Sequence, residues 1–206
     1  MGQAGMAEAA VRYLRSAGTA PLARPVEALP RPELRCVREN ERAPVDQTEF
    51  RRVLGTFATG VTVVTAPPAG PGTSPDASPA GFACQSFSSL SLDPPLIAFM
   101  VGRTSTTWPR IARAGAFCVN VLSAGQAELC RAFAVRGADK FAGVEHTPAP
   151  VSGSPRLTDA LAWIDCTIHA VHTGGDHLIV VGRVDALGTG DDEDAAPLLF
   201  HKGRFL

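Results

Sequence analysis

Apolar side chains in this chain fall mostly at the spacing of β-strands. The runs VTVVT at 61–65 and LIAFMV at 96–101 are continuously apolar or β-branched, which is typical of buried strands. Residues 161–171 alternate between apolar and polar positions, as a strand with one buried face does, and residues 177–187 make another strand. Shorter segments of similar character are found at 81–86, 116–122 and 198–205. The pattern predicts a chain built mainly from β-strands.

Three other segments carry apolar residues at helical spacing. The first is expected to start at Gln47, behind the capping residue Asp46, and to end by Gly60. Its apolar stripe consists of Phe50, Val53, Leu54 and Phe57. Two further helices are predicted near 108–112 and 127–133. About six or seven antiparallel strands with a few inserted helices predict an all-β barrel with helical decoration.

Composition divides the chain into two regions. Residues 1–44 are rich in Ala, Arg and Pro and show little sustained periodicity. We therefore expect an N-terminal extension that is partly irregular, because each proline removes a backbone donor. Residues 45–206 carry the predicted strands and helices and form the domain proper. A length of 206 residues with 45% hydrophobic residues suits one sizeable domain.

Charge and cysteine content argue against several classes of function. With 19 Lys and Arg against 20 Asp and Glu, the chain has no basic field for nucleic acid or a membrane surface. A small-molecule site is the better expectation. The five cysteines are odd in number and include no C-x-x-C pair, so a reducing cytoplasm fits better than secretion. No apolar run approaches the ~20 residues of a membrane span.

A serine-rich stretch, GFACQSFSSLSLDPP at 81–95, stands between two predicted strands. Small polar side chains let a ligand approach the backbone, whose N–H groups can bind an anion or a ring edge. The alternative is a plain connection between two core strands, since serine clusters are common in loops. The stretch by itself leaves both interpretations open.

A second candidate is the hydroxyl-rich run RTSTT at 103–107, between a buried strand and a predicted helix. Hydroxyl groups, free N–H groups at the helix start and a guanidinium together suit an anion. The alternative is simple capping of the helix, which needs only one of the hydroxyls.

The turn Gly174-Gly175-Asp176-His177 joins the two longest predicted strands. Glycine supplies the positive φ of a hairpin turn, but a turn does not require histidine after aspartate. Asp176 and His177 are therefore candidates for chemistry. The sequence contains none of the common dinucleotide-fingerprint, P-loop, zinc-protease or nucleophile-elbow motifs, and we predict no metal site.

Six segments follow one another in a fixed order: EFRRVLGTFATGVTVVT, GFACQSFSSLSLDPP, RTSTTW, FCVNVL, ADKFAG and GGDHLIVVGRV. This order resembles the flavin reductase family, and the resemblance covers roughly residues 49–205. The G-D-H turn followed by Gly182-Arg183-Val184 is its most specific mark. The resemblance implies a mainly β split barrel of Greek-key topology with a few inserted helices. It also implies a homodimer with the flavin in a groove near the dimer interface.

The resemblance further implies a set of site residues. The edge of the flavin ring would lie against backbone groups of Ala83, Cys84, Gln85 and Ser86, with Ser88 and Ser89 close by. The flavin phosphate would be held by Arg103, Thr104, Ser105 and Thr106. Lys140 and Phe141 would close the site, from the same or a neighbouring subunit, and Asp176 and His177 would lie beside the nicotinamide. For Cys84 we expect the backbone to matter and the thiol to be incidental.

The implied activity is that of an NAD(P)H:flavin oxidoreductase, which reduces FAD or FMN by hydride transfer and supplies diffusible reduced flavin to a partner monooxygenase. The cofactors carry the difficult chemistry, so the protein needs to orient two rings and stabilise negative charge with backbone donors. Phosphate contacts from hydroxyls and one arginine suit an exchangeable flavin.

Several alternatives stay open at this point. FAD and FMN are not distinguished, whereas NADH is favoured over NADPH because no basic cluster stands near Asp176. A flavin-binding sensor or storage protein of the same fold would lack turnover. A β-barrel interaction module would bind no flavin.

Overall fold

The computed structural model describes residues 45–68, 78–135, 137, 139–192 and 194–206. The predicted extension, residues 1–44, lies outside the described residues. The described part forms three α-helices: α1 (Gln47–Leu54), α2 (Trp108–Ala114) and α3 (Ala127–Ala134), the last preceded by a 3₁₀ turn, Ala124–Gln126. None of the described helices is long and apolar enough to cross a membrane.

Twelve β-strands account for most of the remaining regular structure in these residues. They are β1 (Thr59–Gly60), β2 (Thr62–Ala66), β3 (Ala80–Cys84), β4 (Ser88–Leu92), β5 (Pro95–Gly102), β6 (Ala116–Val121), β7 (His146–Pro148), β8 (Pro155–Leu157), β9 (Ala162–Gly174), β10 (His177–Thr189), β11 (Leu199–His201) and β12 (Arg204–Phe205). The mainly β prediction with few helices is confirmed.

The main sheet has seven strands in the order β3-β2-β6-β9-β10-β5-β4, each antiparallel to its neighbours. Within the described residues, β3 and β4 have one strand neighbour each, so strand pairing does not close this sheet into a ring. Smaller sheets, β1-β11-β12 and β7-β8, complete the described strands. The sheet edges at β3 and β4 bear directly on the candidate site.

The hairpin of β9 and β10 forms the centre of the main sheet. Each strand has 13 residues, and Gly175 in the turn has a φ of 66°, which glycine adopts without strain. β9 pairs with β6 on its other side, and β10 pairs with β5. At the end of the β10–β5 ladder His177 lies opposite Gly102, so the hairpin turn is held where β5 ends.

Both faces of β2 are buried because helices pack on either side of it. Val64 belongs to a cluster that contains Trp108 and Ile111 of α2. Val63 belongs to a second cluster that contains Phe133 of α3. Successive residues of a strand point to opposite faces, so a strand covered on both sides needs a continuous apolar run. This arrangement explains why VTVVT does not alternate.

The first helix has the predicted start and an unexpected surface. The Asp46 carboxylate accepts hydrogen bonds from the N–H groups of Thr48 and Glu49, both at 2.9 Å, as a helix cap does. The helix ends at Leu54, earlier than the expected limit at Gly60. Its apolar stripe is not packed against the described residues, since Phe50 is 55% exposed.

Two other segments differ from their predictions. Part of the serine-rich stretch is a strand, β4, which pairs with β5 at the edge of the sheet. The predicted last strand at 198–205 is instead a small hairpin of β11 and β12, which turns at Lys202 and Gly203. Pairing with another strand decides both cases, and short-range patterning does not reveal it.

Gly182, within the family's G-x-V mark, lies beneath a buried ring. A Cβ atom added there would be 2.5 Å from Cζ of Phe117 and 3.2 Å from Cδ1 of Ile97. Phe117 is fully buried and itself packs edge-to-face on Phe99, with ring centroids 5.2 Å apart. The ring therefore has little room to move aside.

We expect Gly182→Ala to lower the free energy of unfolding by about 1–3 kcal/mol, because the added methyl group overpacks the core. Urea denaturation at a fixed protein concentration measures this change. Gly125→Ala is the matched control, since nothing lies within 4 Å of a Cβ atom at that position. Equal stability of Gly182→Ala and the wild type would contradict this packing.

Candidate functional site

A cavity of about 860 Å³ is bounded by β3, the end of β5, the start of α2, the segment after α3 and the β9–β10 turn. Nine of the predicted site residues line it: Ala83, Cys84, Gln85, Ser86, Thr104, Ser105, Thr106, Lys140 and His177. Five do not line it: Ser88, Ser89, Arg103, Phe141 and Asp176. Segments distant in sequence thus meet at one site, as ligand pockets commonly require.

The β3 wall presents backbone groups that no neighbouring strand uses. β3 is an edge strand of the main sheet and pairs only with β2 among the described strands. The Gly81 carbonyl accepts a hydrogen bond from Nζ of Lys140 at 3.2 Å, so its backbone groups point away from β2. Residues two apart in an antiparallel ladder point the same way. The N–H and C=O groups of Ala83 therefore also point outward, along the cavity wall.

Ser86 joins β3 to β5 beside the cavity. Its hydroxyl donates to the Met100 carbonyl and accepts from the Met100 N–H, both at 3.0 Å. β4 begins at Ser88, opposite Ala98, and therefore does not pair with Met100. The Ser86 hydroxyl takes the place of a strand partner for the outer N–H and C=O groups of Met100. The side chain of Ser86 is structural here, and only its backbone is available to a ligand.

Ser88 and Ser89 lie outside the cavity. Both are exposed residues of β4, where they pair with Ala98 and Ile97 of β5. The hydroxyl of Ser88 donates to the Ser89 carbonyl at 2.9 Å. Nothing in this geometry places either hydroxyl at the cavity described above.

The hydroxyl-rich run lines one part of the cavity, but its arginine does not. The Arg103 N–H donates to the Asp176 carbonyl at 2.9 Å, and its side chain is exposed. The guanidinium that does line the cavity belongs to Arg110, in the first turn of α2. The hydroxyl of Ser105 accepts the Trp108 N–H at 3.1 Å, so one hydroxyl serves the helix start. The other hydroxyls leave the anion-binding interpretation open.

Lys140 and Phe141 take different positions. The ammonium of Lys140 lines the cavity and donates to the carbonyls of Phe133 (2.8 Å) and Gly81 (3.2 Å). Partial burial lowers the pKa of Lys140. Phe141 packs edge-to-face on Phe133, with centroids 5.1 Å apart, and its ring approaches Gly81. Phe141 thus supports the β3 wall from behind.

The hairpin turn places His177 at the cavity and Asp176 beside it. Nδ1 of His177 lies 2.8 Å from Oδ1 of Asp176, and the two side chains are 50% and 94% exposed. The hydrogen bond from His177, together with its Coulomb attraction, lowers the pKa of Asp176. The carboxylate therefore orients the imidazole without lining the cavity itself.

Cys84 has an inert thiol. Burial raises the pKa of this thiol, although the Ser86 hydroxyl, 3.3 Å from Sγ, acts in the opposite direction. A protonated, buried thiol is a poor nucleophile and a poor metal ligand. The described residues contain no group of three or more His, Cys, Asp or Glu side chains that could hold a metal ion.

Sequence reasoning missed Arg110 and Met100. Arg110 lies in the first turn of the predicted helix, three residues after the hydroxyl-rich run ends, and this position could have identified it as a neighbour of that run. Met100 lines the cavity next to Ser86 in an otherwise apolar strand. No local signal distinguishes it from its neighbours.

Comparison with known proteins identifies the family of the chain. The chain belongs to the family described as the flavin reductase like domain, whose profile matches residues 54–206. The reductase subunit HsaB of a flavin-dependent monooxygenase from Rhodococcus jostii (strain RHA1) is 48% identical over 161 residues, which are 78% of this chain and 77% of that protein.

Two solved structures share the fold. Nitrilotriacetate monooxygenase component B from Mycobacterium thermoresistibile is 46% identical, with a TM-score of 0.71, over 79% of this chain and 86% of that one. The NADH:FAD oxidoreductase of Streptomyces globisporus C-1027, in complex with NAD and FAD fragments, is 36% identical. Its TM-score is 0.71, over 84% of this chain and 96% of that one.

The Asp176–His177 contact has a measurable consequence. We expect His177→Ala to raise the pKa of Asp176, because the variant removes the hydrogen bond that lowers it. Nuclear magnetic resonance titration of the Asp176 carboxyl carbon measures this shift. The contact favours the folded state above the ordinary Asp pKa, and this contribution is lost as pH falls through the lowered value.

His169→Ala is the matched control, because His169 is an exposed histidine of β9 that makes no bond to Asp176. An Asp176 pKa that is the same in wild type and His177→Ala would contradict the contact.

Proposed function

We propose that the protein is an NADH-dependent flavin reductase that reduces FAD or FMN and releases the reduced flavin to a separate monooxygenase. The observation that carries this proposal is the cavity, which combines unpaired backbone groups of β3, the hydroxyls of 104–106 and His177. These groups match a ring edge, a phosphate and a second planar ring. The residues present therefore fit a flavin and a nicotinamide.

The backbone of the β3 wall is assigned to the flavin ring. Outward-facing groups of Ala83 and the following residues offer fixed donors and acceptors to the polar edge of the ring. Donors on a packed strand need no reorganisation when negative charge develops on a ligand. Bound flavin supplies the hydride-accepting chemistry, which amino-acid side chains do not provide. The chain contributes binding, orientation and electrostatic stabilisation.

His177 is assigned to the nicotinamide. Its Nε2 lies 3.9 Å from a Cβ position at Gly102, so the ring stands over the end of β5. Asp176 fixes its orientation through Nδ1. Its role is to position the nicotinamide ring, and hydride transfer requires no proton from it.

We propose that flavin binds to this protein as an exchangeable substrate. The thiol that lines the cavity, Cys84, is buried with a raised pKa and offers no thiolate for covalent attachment. Contacts from hydroxyls hold a phosphate by hydrogen bonds alone. Release of the product is therefore compatible with the site.

Relatives support the choice of substrates and partner. The Rhodococcus relative is a reductase subunit of a flavin-dependent monooxygenase, and the Streptomyces relative is an NADH:FAD oxidoreductase. By analogy we assign NADH as the reductant, FAD or FMN as the acceptor and a flavin-dependent monooxygenase as the recipient.

We also propose how the sheet closes, how the protein assembles and where it is located. The Ser86–Met100 hydrogen bonds bring β3 beside β5, which supports a split barrel closed partly by side chains. The exposed stripe of α1 supports a homodimer, since paired copies could cover it. The four described cysteines, all free, support a cytoplasmic location. We propose that residues 1–44 are an extension outside the reductase domain.

We expect NADH oxidation by the purified protein to depend on added FAD or FMN, because the acceptor is a dissociable substrate. The loss of nicotinamide absorbance, measured with each flavin and with none, tests this. No turnover with either flavin would refute the reductase and favour a flavin-binding sensor or storage protein. Stoichiometric flavin retained through extensive dialysis would refute free exchange.

The double variant Asp176→Ala, His177→Ala separates the nicotinamide role from flavin binding. It should lower kcat/KM for NADH by roughly tenfold or more while leaving flavin Kd nearly unchanged. His169→Ala again serves as the control. Full NADH oxidation by the double variant would remove the role assigned to the turn.

A further inference from the structure

Arg110 is a charged residue of the cavity lining to which neither the sequence nor the family resemblance assigned a role. It lines the cavity beside Thr104 and Thr106. Its Nη2 donates to the carbonyl oxygens of Ser78 and of Pro79, the latter at 3.3 Å. Its backbone N–H donates to the Thr107 carbonyl at 3.0 Å, so Arg110 connects the hydroxyl-rich run to the segment that leads into β3.

Lys140 and Arg110, the two cationic side chains that line the described part of the cavity, differ in how many of their donors are already hydrogen-bonded. Nζ of Lys140 donates to two backbone carbonyls, and partial burial lowers its pKa. Arg110 is exposed, and among the described residues only its Nη2 has an acceptor. Its Nε and Nη1, which bond no acceptor in the described part of the chain, are the donors offered to a ligand. A guanidinium stays charged and presents a planar fork that matches phosphate oxygens.

We propose that Arg110 binds the distal phosphate of a dinucleotide flavin and so makes the site favour FAD over FMN. This inference rests on the proposed function, in which the hydroxyls of 104–106 hold the phosphate that FMN and FAD share. Arg110 reaches from that run to Ser78 and Pro79, which also line the cavity, so the cavity continues beyond the run. FMN ends in a monophosphate, whereas FAD carries a pyrophosphate, so only FAD offers a second phosphate.

Two other roles for Arg110 must be distinguished by experiment. NADH also carries a pyrophosphate, so the same guanidinium could serve the reductant. Arg110 could alternatively act only as a tether for residues 78–79, next to β3. Loss of a tether would disturb the β3 wall and weaken every flavin alike.

Isothermal titration calorimetry on the full chain gives Kd for riboflavin, FMN, FAD and NAD⁺. Arg110→Ala should weaken FAD binding by roughly tenfold or more, through the loss of a charge-assisted hydrogen bond. Binding of riboflavin, FMN and NAD⁺ should stay within about twofold of wild type, since none of these contacts uses Arg110. Arg110→Lys should recover part of the FAD affinity, because it restores the charge without the fork.

Arg113→Ala is the matched control, because Arg113 is an exposed arginine of the same helix that does not line the cavity. It should bind all four ligands as the wild type does.

Each other outcome overturns the inference in a recognisable way. Equal weakening of FMN and FAD would assign Arg110 to the shared phosphate, and weakening of riboflavin as well would make it a tether. Weakening of NAD⁺ in place of FAD would assign it to the reductant, and no change would leave it without a ligand role. Because these are binding constants, flavin-dependent NADH oxidation by the wild type tests the proposed function separately.

Discussion

The pairing of β10 with β5 is the constraint on which the candidate site depends. Val180 and Phe99 lie opposite each other in this ladder and are both fully buried. The same register places His177 opposite Gly102, and the Asp176 carbonyl accepts the Arg103 N–H. A slip of one residue would turn Val180 out of the core and move the hairpin tip relative to the hydroxyl-rich run. Core packing therefore fixes the position of His177.

The site itself is built where the sheet leaves backbone groups unpaired. β3 has no described strand on its outer side, and β4 does not reach Met100, so polar groups of both edges face the gap between them. The Ser86 hydroxyl donates to the Met100 carbonyl on the β5 side of this gap, and the Lys140 ammonium donates to the Gly81 carbonyl on the β3 side. The remaining groups along Ala83 are held rigidly by the strand. Such an edge suits a planar ligand with hydrogen-bonding atoms on one side.

Local pattern predicted those parts of the molecule that local forces decide. The Asp46 cap and the alternation of β9 fall within this class. The shared location of Ala83 and His177 was implied by the family resemblance alone, and both residues line the cavity. The outcome differed where long-range pairing decides. Ser88 joins a strand only because β5 offers it an edge. Arg103 does not line the cavity, its backbone N–H is bonded to the hairpin at Asp176, and the arginine that lines the cavity is Arg110.

A crystal structure of the protein with bound FAD tests most directly whether this cavity is the flavin site. We expect the edge of the flavin ring along the outward backbone groups of Ala83, with His177 at the opposite rim and the phosphates near Thr104 and Thr106. A flavin bound elsewhere would contradict the central claim. The cavity of about 510 Å³ beside Arg156 and Trp163 is one such alternative location.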